Sequence, residues 1–341
     1  MASRRGNNEG TICQRTDGRW TAAITLDGGK RRFLYGRTRK VVQEKLKAAT
    51  RAIDDGLPVR SDRQKLGQFL ERWLREVAEP TVRQSTYTRY RELLTIHVIP
   101  TLGHLPLAKL SPQDLNGLYG KLSQNLAPRT VGHVHRVLHR ALRDALHWQL
   151  VDRNAADAVS PPKVPREEMQ VLDPEQARVL LGAAAGDPLE ALYVLALTTG
   201  ARQGEILALK WSDFDSDTGR LTIQRTVRWV NGQGSVEGEP KSKRSRRSLS
   251  LTPMAIAALR DHRARQMEQR LRAVAWEDNN LIFCNVVGRH IEATNLLWRS
   301  FRPLRERAGL PKKLRFHDLR HSAATLLLLQ GVNVKVVSAR T

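Results

Sequence analysis

The residues best suited to chemistry fall in three short words of sequence. His317-Asp318-Leu319-Arg320-His321 lies near the C-terminus, directly before the apolar stretch Ala323 to Leu329. The i, i+3 spacing of His317 and Arg320 puts an imidazole and a guanidinium side by side on one helical face. Such a pair suits an anionic reacting group: the planar arginine fork takes two phosphate oxygens, while histidine donates or shuttles a proton near neutral pH. The second word, Thr198-Thr199-Gly200-Ala201-Arg202-Gln203-Gly204-Glu205, interrupts an apolar helical region with glycines, a cation and an acid. An arginine there needs a partner, and Glu205 shares its helical face. Alone, this word reads equally well as a buried structural ion pair. The third is the basic run Glu239 to Leu251, containing Lys241, Lys243, Arg244, Arg246 and Arg247. It leads into a strand, so the expectation is a β-hairpin that carries a lysine towards the other two words.

Composition narrows what the anion is. The 341 residues hold 57 Lys plus Arg against 34 Asp plus Glu, a formal charge of +23. A surface that positive attracts a polyanion, and the charge is spread along the chain rather than set beside a hydrophobic anchor, which points to nucleic acid over a membrane. The two cysteines, Cys13 and Cys284, are far apart. They exclude a disulfide framework and a cysteine-based zinc site. No clustered carboxylates suggest a metal-dependent nuclease, so no metal and no cofactor is expected. The start lacks a signal peptide and no apolar run is long enough to span a bilayer, so the expected setting is a reducing cytoplasm with no membrane partner.

The elements that must position these words divide into three segments. Residues 1–56 show short alternating runs with turn signals at Asp17-Gly18 and Asp27-Gly28-Gly29, then a helical stretch from Val41 to Asp55. This predicts a three-stranded sheet backed by one helix, with Arg19, Arg31 and Arg32 as candidate DNA contacts. Residues 64–160 read as wholly helical. Leu66, Phe69, Leu70, Trp73, Leu74 and Val77 form one apolar stripe, and Val134 to Ala145 carry another. Arg129, His133, Arg136, Arg140 and Arg143 lie opposite the second stripe, and Arg83, Arg89 and Arg91 form a further basic face. The recurrence predicts a DNA-clamping bundle, with Arg89, Arg129 and Arg136 as contacts. Ser160 to Pro165 is proline-rich and expected to be a linker. Residues 166–341 mix helices with strands at Leu221 to Val230 and Arg247 to Leu251, an α+β pattern.

In this order and at these separations, ARQGE, the SKRSRR segment before a strand, and HDLRH resemble the tyrosine recombinase, or phage integrase, family, and the resemblance runs over essentially the whole chain. It implies a multidomain, mainly α protein with small β elements: an arm-type DNA-binding domain over 1–56, a SAM-like core-binding bundle over 64–160 and an α+β catalytic domain over 166–341. The implied reaction is site-specific recombination of double-stranded DNA of a mobile element. A tyrosine attacks a phosphodiester, forms a 3′-phosphotyrosyl link and releases a 5′-hydroxyl that later reverses the step.

By matching motif, Arg202 and Arg320 would clamp the non-bridging oxygens and Lys243 would protonate the leaving oxygen, with Lys241 as its alternate. His317 would serve as acid-base or hydrogen-bond partner, and Glu205 would orient Arg202. Lys241 and Arg244 are also expected to touch DNA. The family's pattern continues to a Leu-Gly-His motif and the nucleophile, whereas the sequence in hand ends Val336 to Thr341 and its tyrosines are Tyr35, Tyr87, Tyr90, Tyr119 and Tyr193. The expectation is therefore a chain cut before its nucleophile and inactive in cleavage. The family assembles as a tetramer on two duplexes; this chain is expected to be a monomer in solution. A non-catalytic DNA-binding protein derived from an integrase is the alternative.

Overall fold

The computed structural model describes residues 11–25, 31–54, 64–165, 168–230, 232–238 and 246–340. The chain divides into two compact units, Met1–Arg166 and Glu167–Thr341.

The first unit opens with antiparallel strands β1 (Thr11–Gln14), β2 (Trp20–Thr25) and β3 (Arg31–Gly36), in that order across one sheet. The β1–β2 turn sits at the predicted Asp17-Gly18, where Gly18 takes φ +77°. The Asp27-Gly28-Gly29 signal lies outside the described residues. Period-2 alternation puts Ala22 and Ile24 against Val42, Leu46 and Ala49 of α1 (Arg39–Asp54). Arg19 and Arg31 are exposed and Arg32 is half-buried.

Helices follow. The first stripe forms α2 (Leu66–Trp73), whose Leu66, Phe69, Leu70 and Trp73 are fully buried. Next come α3 (Gln84–Leu93), α4 (Pro112–Ser123) and α5 (Pro128–His147). Ser111 caps α4 by accepting from the Asp114 amide at 3.3 Å, as its Ser-Pro start predicts. The apolar stripe of α5 packs Val134, Leu138, Ala141 and Ala145 into the bundle core. One residue of its basic face turns onto the bundle: half-buried Arg140 lies over the rings of Trp73 and Tyr90, 5.8 Å from each centroid.

The second unit centres on α7 (Glu190–Thr199), buried on nearly every side between α6 (Pro174–Ala184), α9 (Pro253–Arg272) and α11 (Asp318–Leu329). α8 (Gln203–Ile206) follows α7 directly. The strands depart from expectation. Leu221 to Val230 is two strands in two sheets: β5 (Arg220–Ile223) lies between β4 (Phe214–Asp215) and β8 (Arg247–Ser250), while β6 (Thr226–Val230) pairs with β7 (Gly234–Gly238). The short break at Gln224-Arg225 lets the chain change sheets, and Arg225 is held there by buried Asp213. β7 was not anticipated: its GSVEG sequence has too few apolar residues to signal a strand. Between α9 and α11 lies α10 (Arg302–Arg307), the end of a longer helical stretch beginning at Ala293.

Candidate active site

Each word of sequence is held by a specific local device. α7 ends because Gly200 turns left-handed at φ 63°, a conformation glycine adopts without steric cost. The chain then runs extended through Arg202 into α8. Gly204 is required by a close approach: a Cβ there would lie 2.6 Å from the Val227 carbonyl oxygen of β6.

Glu205 is the hub. Its side chain is 2% exposed and accepts from the Arg202 amide at 3.0 Å, Arg202 Nη1 at 2.9 Å and Arg247 Nη2 at 2.9 Å. Burial pushes its carboxyl upward, but the hydrogen bonds from Arg247 and from Arg202 outweigh this and hold it below the ordinary range. Arg247, at the start of β8, is almost wholly buried.

The C-terminal word docks onto this turn. Arg320 Nη1 donates to the Gly200 carbonyl at 2.7 Å, joining residues 120 positions apart. Burial first, then the neighbouring Arg202 charge, pulls the Arg320 guanidinium down to about 10, which still leaves it charged at neutral pH. Asp318 is fully buried and accepts from Arg315 through its amide, Nε and Nη2. This anchors the start of α11 and so places His317 and Arg320. The His317 and His321 rings lie edge to face, 5.2 Å between centroids. Burial, the His321 ring and Arg320 hold His317 below its ordinary value, so its imidazole is neutral at pH 7. Arg202 and Arg247 thus hold one carboxylate, with Arg320 close by on the Gly200 carbonyl, and the excess positive charge favours an incoming anion.

The sequence-predicted Arg202, Glu205 and Arg320 converge, with His317 on the same turn as Arg320. Lys241, Lys243 and Arg244 lie outside the described residues. Arg247 was missed as a site residue because its link to Glu205 spans 42 positions, beyond any local spacing rule. Tyr193 is a core residue, fully buried, with its hydroxyl 2.5 Å from Ser300 Oγ. The other four tyrosines belong to the first unit.

In the first unit Arg89, Arg129 and Arg136 are exposed and lie near His133, whose imidazole is held below its ordinary value by burial and by those three charges. The candidate contacts of α3 and α5 are thereby brought to one face. Among the described residues, no helix is long and apolar enough to cross a membrane and no group of three metal-ligating side chains occurs.

Comparison with known proteins assigns the chain to the class of enzymes that break and rejoin DNA strands, the tyrosine recombinases. The family description "Phage integrase family" matches residues 170–340, and "Phage integrase, N-terminal SAM-like domain" matches residues 65–123. The chain belongs to the phage integrase family. It is 30% identical to an integrase of Streptomyces ambofaciens, over 99% of this chain and 90% of that one. It is 29% identical to a XerC-like tyrosine recombinase of Caldanaerobacter subterraneus subsp. tengcongensis, over 90% of this chain and 83% of the relative. Among solved structures, the integrase of transposon Tn1549 in complex with a circular intermediate DNA shares the fold at TM-score 0.70 and 20% identity, covering 81% of this chain and 90% of that one. A lambda integrase tetramer bound to a Holliday junction does so at TM-score 0.59 and 18% identity, covering 99% and 93%.

Proposed function

We propose that this chain binds duplex DNA through both units and seats one backbone phosphate among Arg202, Arg320 and His317. The observation that carries the reading is the docking of Arg320 onto the Gly200 turn, which sets two partly exposed guanidiniums beside one another with a neutral imidazole on the same turn. Two adjacent arginines repel each other, and an anion between them relieves that repulsion. A pentacoordinate phosphate, which gains negative charge, benefits more than the ground-state diester. Glu205 orients Arg202, and His317 donates or accepts the proton at a phosphate oxygen. Lys243, or Lys241 in its place, protonates the leaving 5′-oxygen.

The three segments have separate roles in this reading. Residues 1–56 are an arm-type reader with Arg19, Arg31 and Arg32 as contacts. Residues 64–160 grip the core site through Arg89, Arg129 and Arg136, and residues 166–341 carry the chemistry, with Lys241 and Arg244 at the DNA. The chain acts in the cytoplasm, and tetramer formation on DNA is its working assembly.

Fluorescence anisotropy with a labelled duplex, repeated across a salt series, tests the binding reading. Affinity is expected to fall steeply with salt, and replacing Arg136 with Ala should reduce the slope by about one. Failure to bind any duplex at moderate salt would sink the proposal.

A further inference from the structure

Two turns of the second unit share one design. In each, an arginine is followed three residues later by a buried acid that also accepts from the arginine's own amide. At Arg315 the fork closes: Nε and Nη2 reach Asp318 Oδ2 and Oδ1 at 3.1 and 2.8 Å. At Arg202 the side chain reaches the acid through Nη1 alone, on Glu205 Oε1 at 2.9 Å. Oε2 is taken instead by Arg247 Nη2 at 2.9 Å, from a side chain only 9% exposed. Exposure does not separate the two turns, with the Arg202 side chain 48% and the Arg315 side chain 63% exposed; the number of side-chain hydrogen bonds to the acid does.

We infer that Arg247 is a positioning residue for the phosphate clamp, acting through Glu205 to keep Arg202 available. This rests on the clamp reading above. Arginine and carboxylate pair most strongly through two parallel hydrogen bonds, and the Arg315 turn shows that this motif reaches that arrangement when both acid oxygens are open to its own arginine. With Oε2 occupied by Arg247, Glu205 holds Arg202 by one side-chain hydrogen bond, enough to aim it and too little to cap it. The rest of the Arg202 fork faces the phosphate. Removing Arg247 does two things at once: it takes one cation from beside the bound anion, and it frees Oε2 to compete with phosphate for Arg202. Lysine at this position still delivers a charged donor to Oε2, as a point rather than a fork.

The test is a titration of the intact chain with inorganic phosphate, followed by the ring NMR shifts of His317, which report the clamp and no other basic surface. Arg247→Ala is expected to weaken phosphate about tenfold and Arg247→Lys no more than about threefold. In an Arg202→Ala background, Arg247→Ala is expected to cost much less than it does alone, because its effect passes through Arg202. Should the alanine variant not hold its fold by circular dichroism, Arg247→Gln carries the same coupling measurement. Unchanged phosphate affinity in a folded Arg247 variant, or an equal loss with and without Arg202, overturns the inference while leaving the clamp standing. No response of His317 to phosphate in the unmodified chain overturns the clamp reading itself.

Discussion

The two basic surfaces of this protein are built on opposite principles. In the first unit, Arg89, Arg129 and Arg136 stand exposed around His133, and the nearest acid pairing is an exposed one, Arg89 with Glu92 at 3.3 Å. In the second, Arg202 and Arg247 converge on a carboxylate that is 2% exposed, and Arg320 is fixed beside them by the Gly200 carbonyl. Exposed guanidiniums on a helix face cost little to keep, move freely and are screened by salt. They suit affinity that does not depend on sub-ångström placement. Guanidiniums pinned by a buried carboxylate or a backbone carbonyl are held in place whatever their exposure, and they suit a single phosphate whose charge changes during reaction. The difference teaches that net charge alone does not distinguish the two surfaces; how their cations are held does.

That contrast breaks first on stability. Glu205→Ala leaves two guanidiniums without their buried counter-ion and is expected to cost about 3–5 kcal/mol in denaturant unfolding of the second unit. Arg136→Ala on the exposed face should stay within about 0.5 kcal/mol. Comparable losses would show that the two surfaces do not differ as described.

DNA affinity should invert the order. Replacing Arg129 and Arg136 together is expected to weaken duplex binding roughly tenfold at moderate salt and to lower the salt slope by about two. Arg202→Ala should change duplex affinity no more than about twofold, since one phosphate contact among many is lost.

How much of this was legible in the sequence follows from range. The i, i+3 pairs Arg202–Glu205 and His317–Arg320 declared themselves because helical spacing is local, and the stripes of α2 and α5 gave the bundle for the same reason. The Arg247–Glu205 and Arg320–Gly200 contacts did not, since each depends on how distant segments pack. Arg140 looked like one more surface cation; only the fold shows it lying over Trp73 and Tyr90. Asp318 had no role assigned from the spacing of HDLRH, yet its burial fixes the turn that places the residues on either side. The β6–β7 pair was hidden because one partner has almost no apolar signal.

Acid sharpens the comparison further. His133 and His135 in the first unit, and His262 and His317 in the second, are all held below the ordinary 6.5, with burial the leading cause. Their neutral forms are favoured in the fold, so both units lose some stability as pH falls below about 6.5. Glu205 and Asp318 add a second loss confined to the second unit. Their folded values lie below the ordinary 4.5 and 3.8, so the stability they contribute is present above those values and disappears as pH falls through the lower, folded ones. Thermal unfolding across pH should therefore show the second unit failing more steeply below about 4.5, and Glu205→Gln should flatten that limb. The smallest effect expected is Tyr193→Phe, which removes the hydroxyl bonded to Ser300, costs about 1 kcal/mol and leaves phosphate binding unchanged, as a core role requires.

The central claim, that anchoring by an acid separates the clamp from the gripping surface, is tested most directly by two titrations on two variants. Arg320→Ala and the Arg129→Ala, Arg136→Ala double variant are each titrated with labelled duplex and, at His317, with inorganic phosphate. A crossed result is expected: Arg320→Ala loses phosphate at His317 and keeps duplex affinity, while the double variant loses duplex affinity and keeps phosphate. Parallel losses in both titrations for either variant would contradict it.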